Sequence, residues 1–497
     1  MSHSNGTSSS FDFSASKLPL KLFINNEYVN SSGTKKLSVH NPRDGSLVSD
    51  SVPVASEQDV DSAVAAAEAA FPAWRKTPPD SRREILLKFA SLVEAHDRTL
   101  AELTRITLGS PYRTMGSFDT KLCCDSFKYY AGWIDKLEGE THPQDAGFLQ
   151  IVRNEPLGVV AGLVTWNGPL CTTGFKAAPA LAAGNCFILK PSEKTPFAAL
   201  ALGPLIKEAG FPPGVFQVVS GDGSTGALLA SHMRIRGLSF TGSIPVGKKI
   251  QEMAAKTNLK RVVLELGGKS PAIVFDDCDL ENTVAWTVRA ITVNTGQVCF
   301  AASKVYVQEG IYDKFLAKYK AGIESKVQEM GDPEQESTCI GPLVDKAQSE
   351  RVKGFIQRGV DERQGTLLTG GKQTEDDGLF VKPTVFTDVD QTAEIYNQEI
   401  FGPVAIVNTF KTEEEVIQKA NSNEYGLMAG VFTQDINRAL RVAGEVDSGM
   451  VGINCVSMAL LTSPFGGSKA SGIGRELGKA GMLAFTEPKT IMVNMTY

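Results

Sequence analysis

The sequence predicts an α/β protein built on parallel β-sheets, and three observations lead to this class. The chain has 497 residues, enough for two or three domains with large buried cores. From residue 159 onward, short apolar runs alternate with amphipathic or alanine-rich stretches, a pattern typical of βαβ units. A second stretch of the same kind begins near residues 271–275 and continues to about residue 468.

The N-terminal part has a different pattern. Residues 1–17 are rich in serine and lack the layout of a signal or transit peptide, which predicts a disordered tail. Residues 22–29 predict two short strands around an Asn-Asn turn. The capping-box pattern of Ser56 and Asp59 predicts a helix, and the spacing of apolar residues over 85–93 predicts a second one.

The first parallel sheet is expected to contain five short apolar strands. The segments between them are amphipathic or rich in alanine, and they supply the crossover helices that parallel strands require. The predicted strands are residues 159–164, 186–189, 215–219, 237–240 and 261–266.

Composition excludes several functional classes. The net charge is −6, which argues against nucleic acid as a partner. No apolar run approaches the roughly 18 residues that cross a bilayer, so a membrane partner is not expected. The five histidines are scattered outside any zinc motif, so no metal is expected. The eight cysteines form no CxxC pair, which favours a reduced, cytoplasmic location.

Three glycine-rich segments are candidates for binding a cofactor, and the residues alone do not decide between them. Residues 221–226 form GxGxxG between a strand and a helix, yet they do not follow the first βαβ strand. Residues 242–249 imitate a phosphate-binding loop, but Lys249 stands where Mg²⁺ binding needs Ser or Thr, which disfavours ATP hydrolysis. The amides of this segment and the Ser243 hydroxyl still suit a phosphate. Residues 466–474 lack a preceding strand and predict a loop packed against backbone.

Three polar or reactive residues occupy positions that suggest chemistry. Cys299 lies in a polar, glycine-containing turn, where the alternative is a buried cysteine without function. Glu265 lies within an apolar strand, where the alternative is an ion-paired edge residue. Asn167 ends another strand, where the alternative is a turn former.

Seven motifs occur together in the order and spacing of one family. They are TWNGPL (165–170), LKPSEKTP (189–196), FTGSIPVG (240–247), LELGGKSP (264–271), NTGQVC (294–299), QEIFGPV (398–404) and PFGGSKASGIGRELG (464–478). From about residue 20 to the C-terminus, the chain resembles the aldehyde dehydrogenase superfamily, and its layout is most similar to the NAD-linked cytosolic and mitochondrial branch.

The resemblance implies a Rossmann-like cofactor domain, an α/β catalytic domain and a small β-strand arm for oligomerisation. The expected NAD-binding domain comprises residues 18–134 and 155–267, and the catalytic domain comprises residues 268–468. The arm and C-terminal strand comprise residues 135–154 and 469–497. Because an unpaired arm exposes sheet edges, a homodimer or homotetramer is expected.

The resemblance also implies catalytic roles. Cys299 is expected to attack the aldehyde carbon to give a thiohemiacetal and, after hydride transfer, a thioester. Asn167 and the Cys299 amide are expected to hold the oxyanion. Glu265 is expected to activate the water that releases the carboxylic acid. Lys176 and Glu476 match a proton-relay pair, for which a structural ion pair is the alternative.

The cofactor implied by the resemblance is NAD. Lys190 and Glu193 match adenosine-ribose ligands, and the carboxylate favours NAD over NADP because it repels a 2′-phosphate. Ser243 matches the pyrophosphate contact, which ranks its loop above the GxGxxG segment. The other cofactor contacts are expected from Thr165, Trp166, Gly223, Leu266, Gln348, Glu399 and Phe401.

The expected aldehyde pocket departs from the related pattern at three positions. Gly168, Val293 and Ala459 stand where relatives of the acetaldehyde-oxidising type carry aromatic residues, which predicts a wider pocket and a bulkier aldehyde. The alternative is that the space is refilled by Phe175, Phe300, Met458 or Leu460. The complete set of expected pocket residues is Gly168, Phe175, Val293, Val298, Phe300, Met458, Ala459 and Phe465. These walls carry no Arg or Lys, which disfavours an aldehyde with a carboxylate tail.

Two other functions are considered. A CoA-acylating aldehyde dehydrogenase resolves the thioester with a thiol, and Glu265 argues against it because hydrolysis is the reaction that needs a base. A non-enzymatic, crystallin-like structural member is expected to lose the nucleophile, yet Cys299, Asn167 and Glu265 are all present.

Overall fold

The computed structural model describes residues 11–371 and 378–496. It contains an eight-stranded sheet, a seven-stranded sheet, a three-stranded sheet and a two-stranded hairpin. The largest apolar cluster lies around the eight-stranded sheet, and two further clusters pack on the seven-stranded sheet. In the part of the chain that the structure describes, no helix is both long and apolar enough to cross a membrane.

The N-terminal segment forms two hairpins and four helices. The predicted capping box is confirmed, because Ser56 Oγ accepts from the Asp59 amide and the Asp59 carboxylate accepts from the Ser56 amide. The elements are β1 (Leu22–Ile24), β2 (Glu27–Val29), β3 (Lys36–His40), β4 (Leu47–Pro53), α1 (Glu57–Trp74), α2 (Pro79–Ala95), α3 (Asp97–Leu108) and α4 (Ser117–Ala131). The two strands predicted around the Asn-Asn turn are β1 and β2, which pair antiparallel.

The five strands predicted for the first parallel sheet are all present. They follow a hairpin made by β5 (Glu140–Asp145) and β6 (Phe148–Pro156). The elements are β7 (Val159–Leu163), α5 (Pro169–Ala182), β8 (Cys186–Lys190), α6 (Phe197–Leu200), α7 (Gly203–Ala209), β9 (Phe216–Val218), α8 (Gly223–Ser231), β10 (Gly237–Thr241), α9 (Ile244–Lys256) and β11 (Arg261–Glu265). Their order is β11-β10-β7-β8-β9, all parallel, with β1 antiparallel beside β9.

The second sheet is also largely parallel. Its elements are β12 (Pro271–Val274), α10 (Leu280–Thr292), β13 (Lys304–Gln308), α11 (Tyr312–Val327), α12 (Lys346–Asp361), β14 (Thr366–Thr369), β15 (Thr384–Thr387), α13 (Glu394–Asn397), β16 (Val404–Phe410), α14 (Glu413–Asn421), β17 (Met428–Phe432), α15 (Ile436–Glu445) and β18 (Met450–Ile453). The order is β14-β15-β16-β13-β12-β17-β18, and only β14 runs antiparallel to its neighbour. Short 3₁₀ or π turns occur at Tyr112–Gly116, Val293–Gly296, Glu309–Ile311 and Lys469–Ser471.

The chain ends with β19 (Gly472–Ile473), α16 (Gly478–Leu483) and β20 (Thr486–Asn494). β20 pairs antiparallel with β6 along its whole length, from Thr486 opposite Pro156 to Asn494 opposite Phe148. Together with β5 these strands form the three-stranded sheet, and the side chains of β5 are all exposed. The structure therefore places a small three-stranded sheet at residues 140–156 and 486–494, and the role of these strands as an oligomerisation arm stays a prediction.

Two expected boundaries differ from the structure. Residues 1–10 of the expected disordered tail lie outside the described residues, but Phe11 is buried and stacks on His96, with ring centroids 4.2 Å apart. Residues 469–485 were expected in the arm, yet β19 pairs with β11 at the edge of the first sheet. Glycine permits this approach, because a Cβ on Gly472 would lie 2.3 Å from the Leu264 carbonyl oxygen. The segment 466–474 is thus packed against backbone, as predicted.

The topology places a cleft between the two large sheets. In the first sheet the chain moves from β7 to β8 on one side and later to β10 on the other, so a topological switch point lies between β7 and β10. Ligands of open α/β sheets bind at the carboxyl ends of the strands at such a point. The segments that face this edge from the second sheet precede β12, β13 and β16, at the amino ends of those strands.

Candidate active site

The loop before Cys299 has an unusual backbone. Asn294, Thr295 and Gly296 have φ values of 49°, 56° and 71°, so three consecutive residues lie in the left-handed region. Such a conformation is costly for residues with side chains and persists only where surrounding contacts fix it. At Gly296 a side chain is also excluded sterically, because a Cβ would lie 2.3 Å from the Gly402 carbonyl carbon and oxygen.

Side-chain hydrogen bonds fix this loop on all sides. Asn294 accepts from Ser110 Oγ at 2.6 Å through Oδ1, and donates from Nδ2 to the Asn167 carbonyl at 3.1 Å. Thr295 Oγ1 donates to the Gly341 carbonyl at 2.8 Å. Gln297 Nε2 donates to the Asn294 carbonyl at 3.0 Å. The strained turn is therefore held by groups from several elements, which determines the position of Cys299, three residues after Gly296.

The Asn167 side chain is oriented by its neighbours. Its Oδ1 accepts from Thr165 Oγ1 at 2.9 Å, and its Nδ2 donates to the Gln297 carbonyl at 2.8 Å. A primary amide has two N–H donors. One therefore anchors Asn167 to the loop of Cys299, and the second is available on the same nitrogen for a ligand oxygen.

Cys299 is half-buried and lines a cavity of about 480 Å³, together with Asn167. Burial, followed by the nearby carboxylates of Glu399 and Glu265, raises the pKa of the Cys299 thiol. The side chain is thus a thiol at neutral pH in this structure, and a reaction that uses the thiolate needs its proton removed.

Glu265 is a buried carboxyl at the end of β11. Neither of its oxygens has a hydrogen-bond partner among residues 11–371 and 378–496. Burial raises its pKa well above the usual range, the Glu476 carboxylate raises it further, and Lys176 opposes the shift. Gly466 provides the room, because a Cβ there would lie 2.5 Å from Glu265 Oε1. A buried, unpaired carboxyl close enough to a thiol to affect its pKa has the properties of a general base.

Lys176 and Glu476 form a buried ion pair behind the same strand. Lys176 Nζ contacts Glu476 Oε1, and it also donates to Ser239 Oγ at 3.1 Å and Thr241 Oγ1 at 2.8 Å. Ser239 Oγ in turn donates to Glu476 Oε1 at 2.7 Å. Thr241 lines the cavity of Cys299, so this network extends from the ion pair to the cleft wall.

A second cavity, of about 830 Å³, adjoins that of Cys299. The two cavities share five lining residues at the carboxyl ends of β7 and β10: Thr165, Trp166, Thr241, Gly242 and Ser243. All ten residues expected to bind the cofactor line one cavity or the other. The larger cavity contains Lys190, Glu193 and Gly223, and the smaller one contains Leu266, Gln348, Glu399 and Phe401.

Two helices begin at the larger cavity, and their N-termini differ. At α8 the Asp222 side chain caps the helix by accepting from the Ser224 amide at 2.9 Å. Against the effect of burial, hydrogen bonds from Lys35 and Ser224 lower the pKa of Asp222 to about 2, so this end carries a negative charge. At α9 no side chain caps the helix, and Ser243 lies at the N-cap position. An anionic group is therefore favoured at α9 and disfavoured at α8.

The smaller cavity has a rigid wall formed by Glu399 and Phe401. Glu399 Oε1 accepts from the Gly268 amide at 2.9 Å, and burial raises the pKa of Glu399 to about 7. Phe401 has a φ of 60°, and its carbonyl accepts from Gln348 Nε2 at 2.7 Å. Its ring packs edge-on against Trp166, with centroids 5.3 Å apart.

The expected aldehyde pocket is present only in part. Phe175, Phe300, Ala459 and Phe465 share one apolar cluster with Cys299. The rings of Phe300 and Phe465 pack edge to face, with centroids 5.6 Å apart. Met458 is partly exposed, which is consistent with a position at the rim of the pocket.

Two expected pocket residues are placed elsewhere. Val293 lines a separate cavity of about 460 Å³ beside α10 and α11, because the left-handed turn reverses the chain after it. Val298 packs with the cluster on the second sheet. The prediction that Val293 widens the aldehyde pocket is therefore wrong. Gly168 lies against Cys171, whose Sγ would be 2.6 Å from a Cβ at that position, and the effects of Gly168 and Ala459 on the pocket stay predictions.

Several residues at the site are not predicted by the sequence analysis. Arg351 lines the cavity of Cys299 and donates to the Glu399 carbonyl at 2.6 Å. It lies three residues after Gln348, and residues at this spacing share one face of a helix. The position of Gln348 in the sequence therefore predicts that Arg351 lies near the same cavity. Tyr425 and Gly466 also contribute, but nothing local in the sequence connects them with residues so distant along the chain.

Comparison with known proteins is consistent with this arrangement. The family model described as the aldehyde dehydrogenase family matches residues 28–491. An aldehyde dehydrogenase of Emericella nidulans is 45% identical over 475 residues, covering 95% of each chain. Retinal dehydrogenase 2 of Homo sapiens is 43% identical over 479 residues, covering 96% of this chain and 92% of that protein.

Solved structures with the same fold include cofactor-dependent enzymes. An indole-3-acetaldehyde dehydrogenase in complex with NAD⁺ superposes with a TM-score of 0.93 at 35% identity, covering 97% of this chain and 100% of that one. A structure described as an NADP-dependent enzyme of E. coli gives a TM-score of 0.92 at 37% identity, covering 96% of this chain and 98% of that one.

The buried ion pair generates a stability prediction. Replacing Lys176 with Met leaves Glu476 buried without its cation, so we expect the folded state to lose about 3–5 kcal/mol. The matched control is the double variant Lys176→Met with Glu476→Leu, which removes both charges and is expected to recover most of this loss. Thermal and denaturant unfolding of the three proteins measures the difference. Equal stability of the single variant and the unmodified protein contradicts the pairing.

Proposed function

This chain belongs to the aldehyde dehydrogenase family and is an NAD(P)-dependent aldehyde dehydrogenase, and on that basis we propose that it oxidises a bulky apolar aldehyde through a thioester on Cys299. The observation that carries this proposal is a thiol and an anchored amide at one cavity, with the buried unpaired carboxyl of Glu265 close enough to raise the pKa of that thiol. Each group suits one chemical step, and each comes from a different segment of the chain.

The first proposed step is attack by the Cys299 sulfur on the aldehyde carbon. The thiol proton passes to solvent water in the cleft, the C–S bond forms and the C=O π electrons move onto oxygen, which gives a thiohemiacetal whose oxygen carries the negative charge. Asn167 is oriented for this oxygen, because one of its N–H groups is fixed on the Gln297 carbonyl and the other remains to donate. One such donor contributes roughly 3–4 kcal/mol to the transition state.

Collapse of this oxyanion restores the C=O bond and expels hydride from the same carbon. Bound NAD(P) supplies the acceptor for that hydride, and the carbon is left as a thioester of Cys299. Glu265 is proposed to remove a proton from the water that attacks the thioester, so that the acid leaves and the sulfur is regenerated. Lys176 and Glu476 are proposed to carry the proton onward through Thr241, which lines the cleft.

The cleft fits a dinucleotide, and NAD is the proposed form. The two adjoining cavities extend from Glu193 to Cys299. The uncapped start of α9, with Ser243 and nearby Lys249, suits the pyrophosphate. Lys190 and Glu193 are proposed to hold the adenosine ribose, and Glu399 and Phe401 the nicotinamide ribose and ring. Because the Glu193 carboxylate repels a 2′-phosphate, NAD is favoured over NADP.

The proposed substrate is apolar and larger than acetaldehyde. The cluster around Cys299 contains Phe175, Phe300 and Phe465, and Ala459 is its smallest member. Met458 and Leu460 are exposed next to Ala459 and provide an apolar rim. The names of two similar enzymes, retinal dehydrogenase and indole-3-acetaldehyde dehydrogenase, also denote large apolar aldehydes.

We also propose that two or four copies assemble through the arm. The β5 strand lies at the edge of the three-stranded sheet with its side chains exposed, and Met492 and Met495 are exposed at the end of β20. An open sheet edge with exposed apolar residues favours pairing with another copy.

The role of Glu265 generates a kinetic prediction. In Glu265→Gln, acylation of Cys299 still releases NADH, so we expect an initial burst followed by a steady rate about 10²–10⁴-fold below the unmodified enzyme. Because burial raises the pKa of Glu265, its base form accumulates only as pH rises through that elevated value. The steady rate of the unmodified enzyme is thus expected to increase with pH, and the variant loses this dependence.

Stopped-flow absorbance at 340 nm measures both phases. The matched control is Glu252→Gln, which removes a carboxylate that lines the larger cavity away from Cys299 and keeps the unmodified kinetics. A Glu265→Gln enzyme with the unmodified steady rate contradicts the proposed base. Addition of CoA tests the CoA-acylating alternative. Formation of acyl-CoA in place of the acid would show that a thiol, and not water, resolves the thioester.

Cofactor choice generates a second kinetic prediction. In Glu193→Ser the repulsion of a 2′-phosphate is lost, so the ratio of kcat/KM for NADP to that for NAD is expected to rise by about tenfold or more, which corresponds to about 1.4 kcal/mol. Glu252→Gln again serves as the control, since it changes a carboxylate of the same cavity. An unchanged ratio in Glu193→Ser is evidence against this role for Glu193.

Substrate size generates a third prediction. We expect kcat/KM to be higher for benzaldehyde and decanal than for acetaldehyde. Ala459→Phe is expected to lower the values for the two large aldehydes while sparing acetaldehyde, because the added ring occupies the cluster beside Cys299. Val293→Phe is the matched control, since its ring enters the separate cavity. A preference of the unmodified enzyme for acetaldehyde contradicts the proposal.

A further inference from the structure

A small polar cavity lies behind the cleft, between the start of β12 and the segment that precedes β18. Its volume is about 10 Å³, close to what a single water-sized occupant needs. Lys269, Ser270 and Ser448 line it, together with Asp447. None of these residues belongs to the proposed catalytic or cofactor-binding set.

Polar groups converge here without partners. Lys269 Nζ, Ser270 Oγ and Ser448 Oγ are buried, and none forms a hydrogen bond to any residue within 11–371 or 378–496. The exposed fraction is 1% for Lys269 and 2% for Ser270. A buried donor without an acceptor is costly, and the cost is larger for an ammonium than for a hydroxyl. The ammonium can only donate, and both hydroxyls are able to donate, so one acceptor can satisfy all three groups.

A second buried lysine lies beside this cavity. Lys304 is fully buried, its amide donates to the Ser270 carbonyl at 3.4 Å, and its Nζ also lacks a hydrogen-bond partner within the described ranges. Lys304 Nζ lies 4.1 Å from the centroid of the Tyr396 ring, a cation–π contact when the amine is protonated. Burial, together with the charges of Lys269 and Lys469, lowers the pKa of Lys304 to about 6.

The local charges do not balance. Burial lowers the pKa of Lys269 to about 7, and Glu399 is the carboxylate that opposes this effect. Lys469 lies 4.0 Å from Asp447, so these two groups offset one another. Near pH 6.5 Lys269 is largely protonated, whereas Lys304 and Glu399, with pKa values of about 6 and about 7, are largely neutral, so one net positive charge remains. A single monovalent anion therefore restores neutrality.

We propose that this cavity is a binding site for one small monovalent inorganic anion of the size of chloride. The Lys269 ammonium and the hydroxyls of Ser270 and Ser448 supply three donors. The proposed anion site is separate from the proposed aldehyde pocket. It also couples to the cleft, because Lys269 lowers the pKa of Glu399, and an anion on Lys269 weakens that effect.

Bromide substitution tests the site directly. Crystals of the full chain grown in sodium gluconate and transferred to sodium bromide are measured at the bromine absorption edge. We expect an anomalous peak bounded by Lys269, Ser270 and Ser448. A water molecule at this place without anomalous signal overturns the proposal, as does the absence of any peak.

Thermal unfolding tests the same site in solution. At constant ionic strength, replacing gluconate with chloride is expected to raise Tm by about 2–4 °C. The rise is expected to be larger at pH 6.5 than at pH 9, because Lys269 is protonated only near and below its lowered pKa of about 7. Equal Tm values in the two salts at pH 6.5 overturn the proposal.

Two variants and a control connect the effect with the cavity. Lys269→Met removes the ammonium, and Ser448→Ala removes a hydroxyl at little structural cost, so the first is expected to abolish the chloride shift and the second to reduce it. Lys318→Met is the control, since it changes an exposed lysine that pairs with Glu281 outside the cavity lining, and it keeps the shift. If Lys269→Met does not fold, Ser448→Ala decides. A full chloride shift in either Lys269→Met or Ser448→Ala overturns the proposal.

Discussion

The site depends on a pair of hydrogen bonds that connect the carboxyl edge of the first sheet with the loop of Cys299. Asn167 Nδ2 donates to the Gln297 carbonyl at 2.8 Å, and Asn294 Nδ2 donates back to the Asn167 carbonyl at 3.1 Å. These bonds fix the amide that is proposed to hold the oxyanion, and they also help to stabilise the left-handed turn before the thiol. The same contacts therefore position both the Cys299 nucleophile and the amide that is proposed to hold the oxyanion.

Electrostatics explains how a thiol and a carboxyl with raised pKa values can act in sequence. Burial raises both, and the Glu265 carboxylate also raises the pKa of the Cys299 thiol. Two such groups resist simultaneous ionisation. In the proposed cycle they need not be ionised together, because Cys299 becomes a neutral thioester before Glu265 acts. Acylation thus removes the negative charge that opposes the base, and Glu265 can ionise when water must be activated.

The sequence predicts the parts of the fold that depend on local pattern. The five strands of the first sheet are continuous apolar runs because both faces of a parallel sheet are buried, and the box at Ser56 is a local capping signal. Motif resemblance then selects Cys299, Asn167 and Glu265, which the residues alone leave ambiguous. Their roles stay predictions until they are tested, although the geometry brings all three to one region.

The sequence does not predict features that depend on an unusual backbone conformation or on contacts between distant segments. Val293 is close to Cys299 along the chain, but three left-handed residues redirect the backbone between them, and positive φ values at Asn294 and Thr295 are not evident from the sequence. The polar cavity at Lys269 is likewise invisible in sequence, since its partners lie near residues 304 and 448.

The most direct test of the account is the mass of the covalent intermediate. Glu265→Gln is mixed with benzaldehyde and NAD, quenched in acid within the first turnover, and digested for mass spectrometry. The account predicts that the peptide containing Cys299 gains the mass of one benzoyl group and that hydroxylamine removes it. An unmodified Cys299 peptide, or the benzoyl group on another cysteine such as Cys171, would contradict the proposal that Cys299 carries the acyl group and Glu265 releases it.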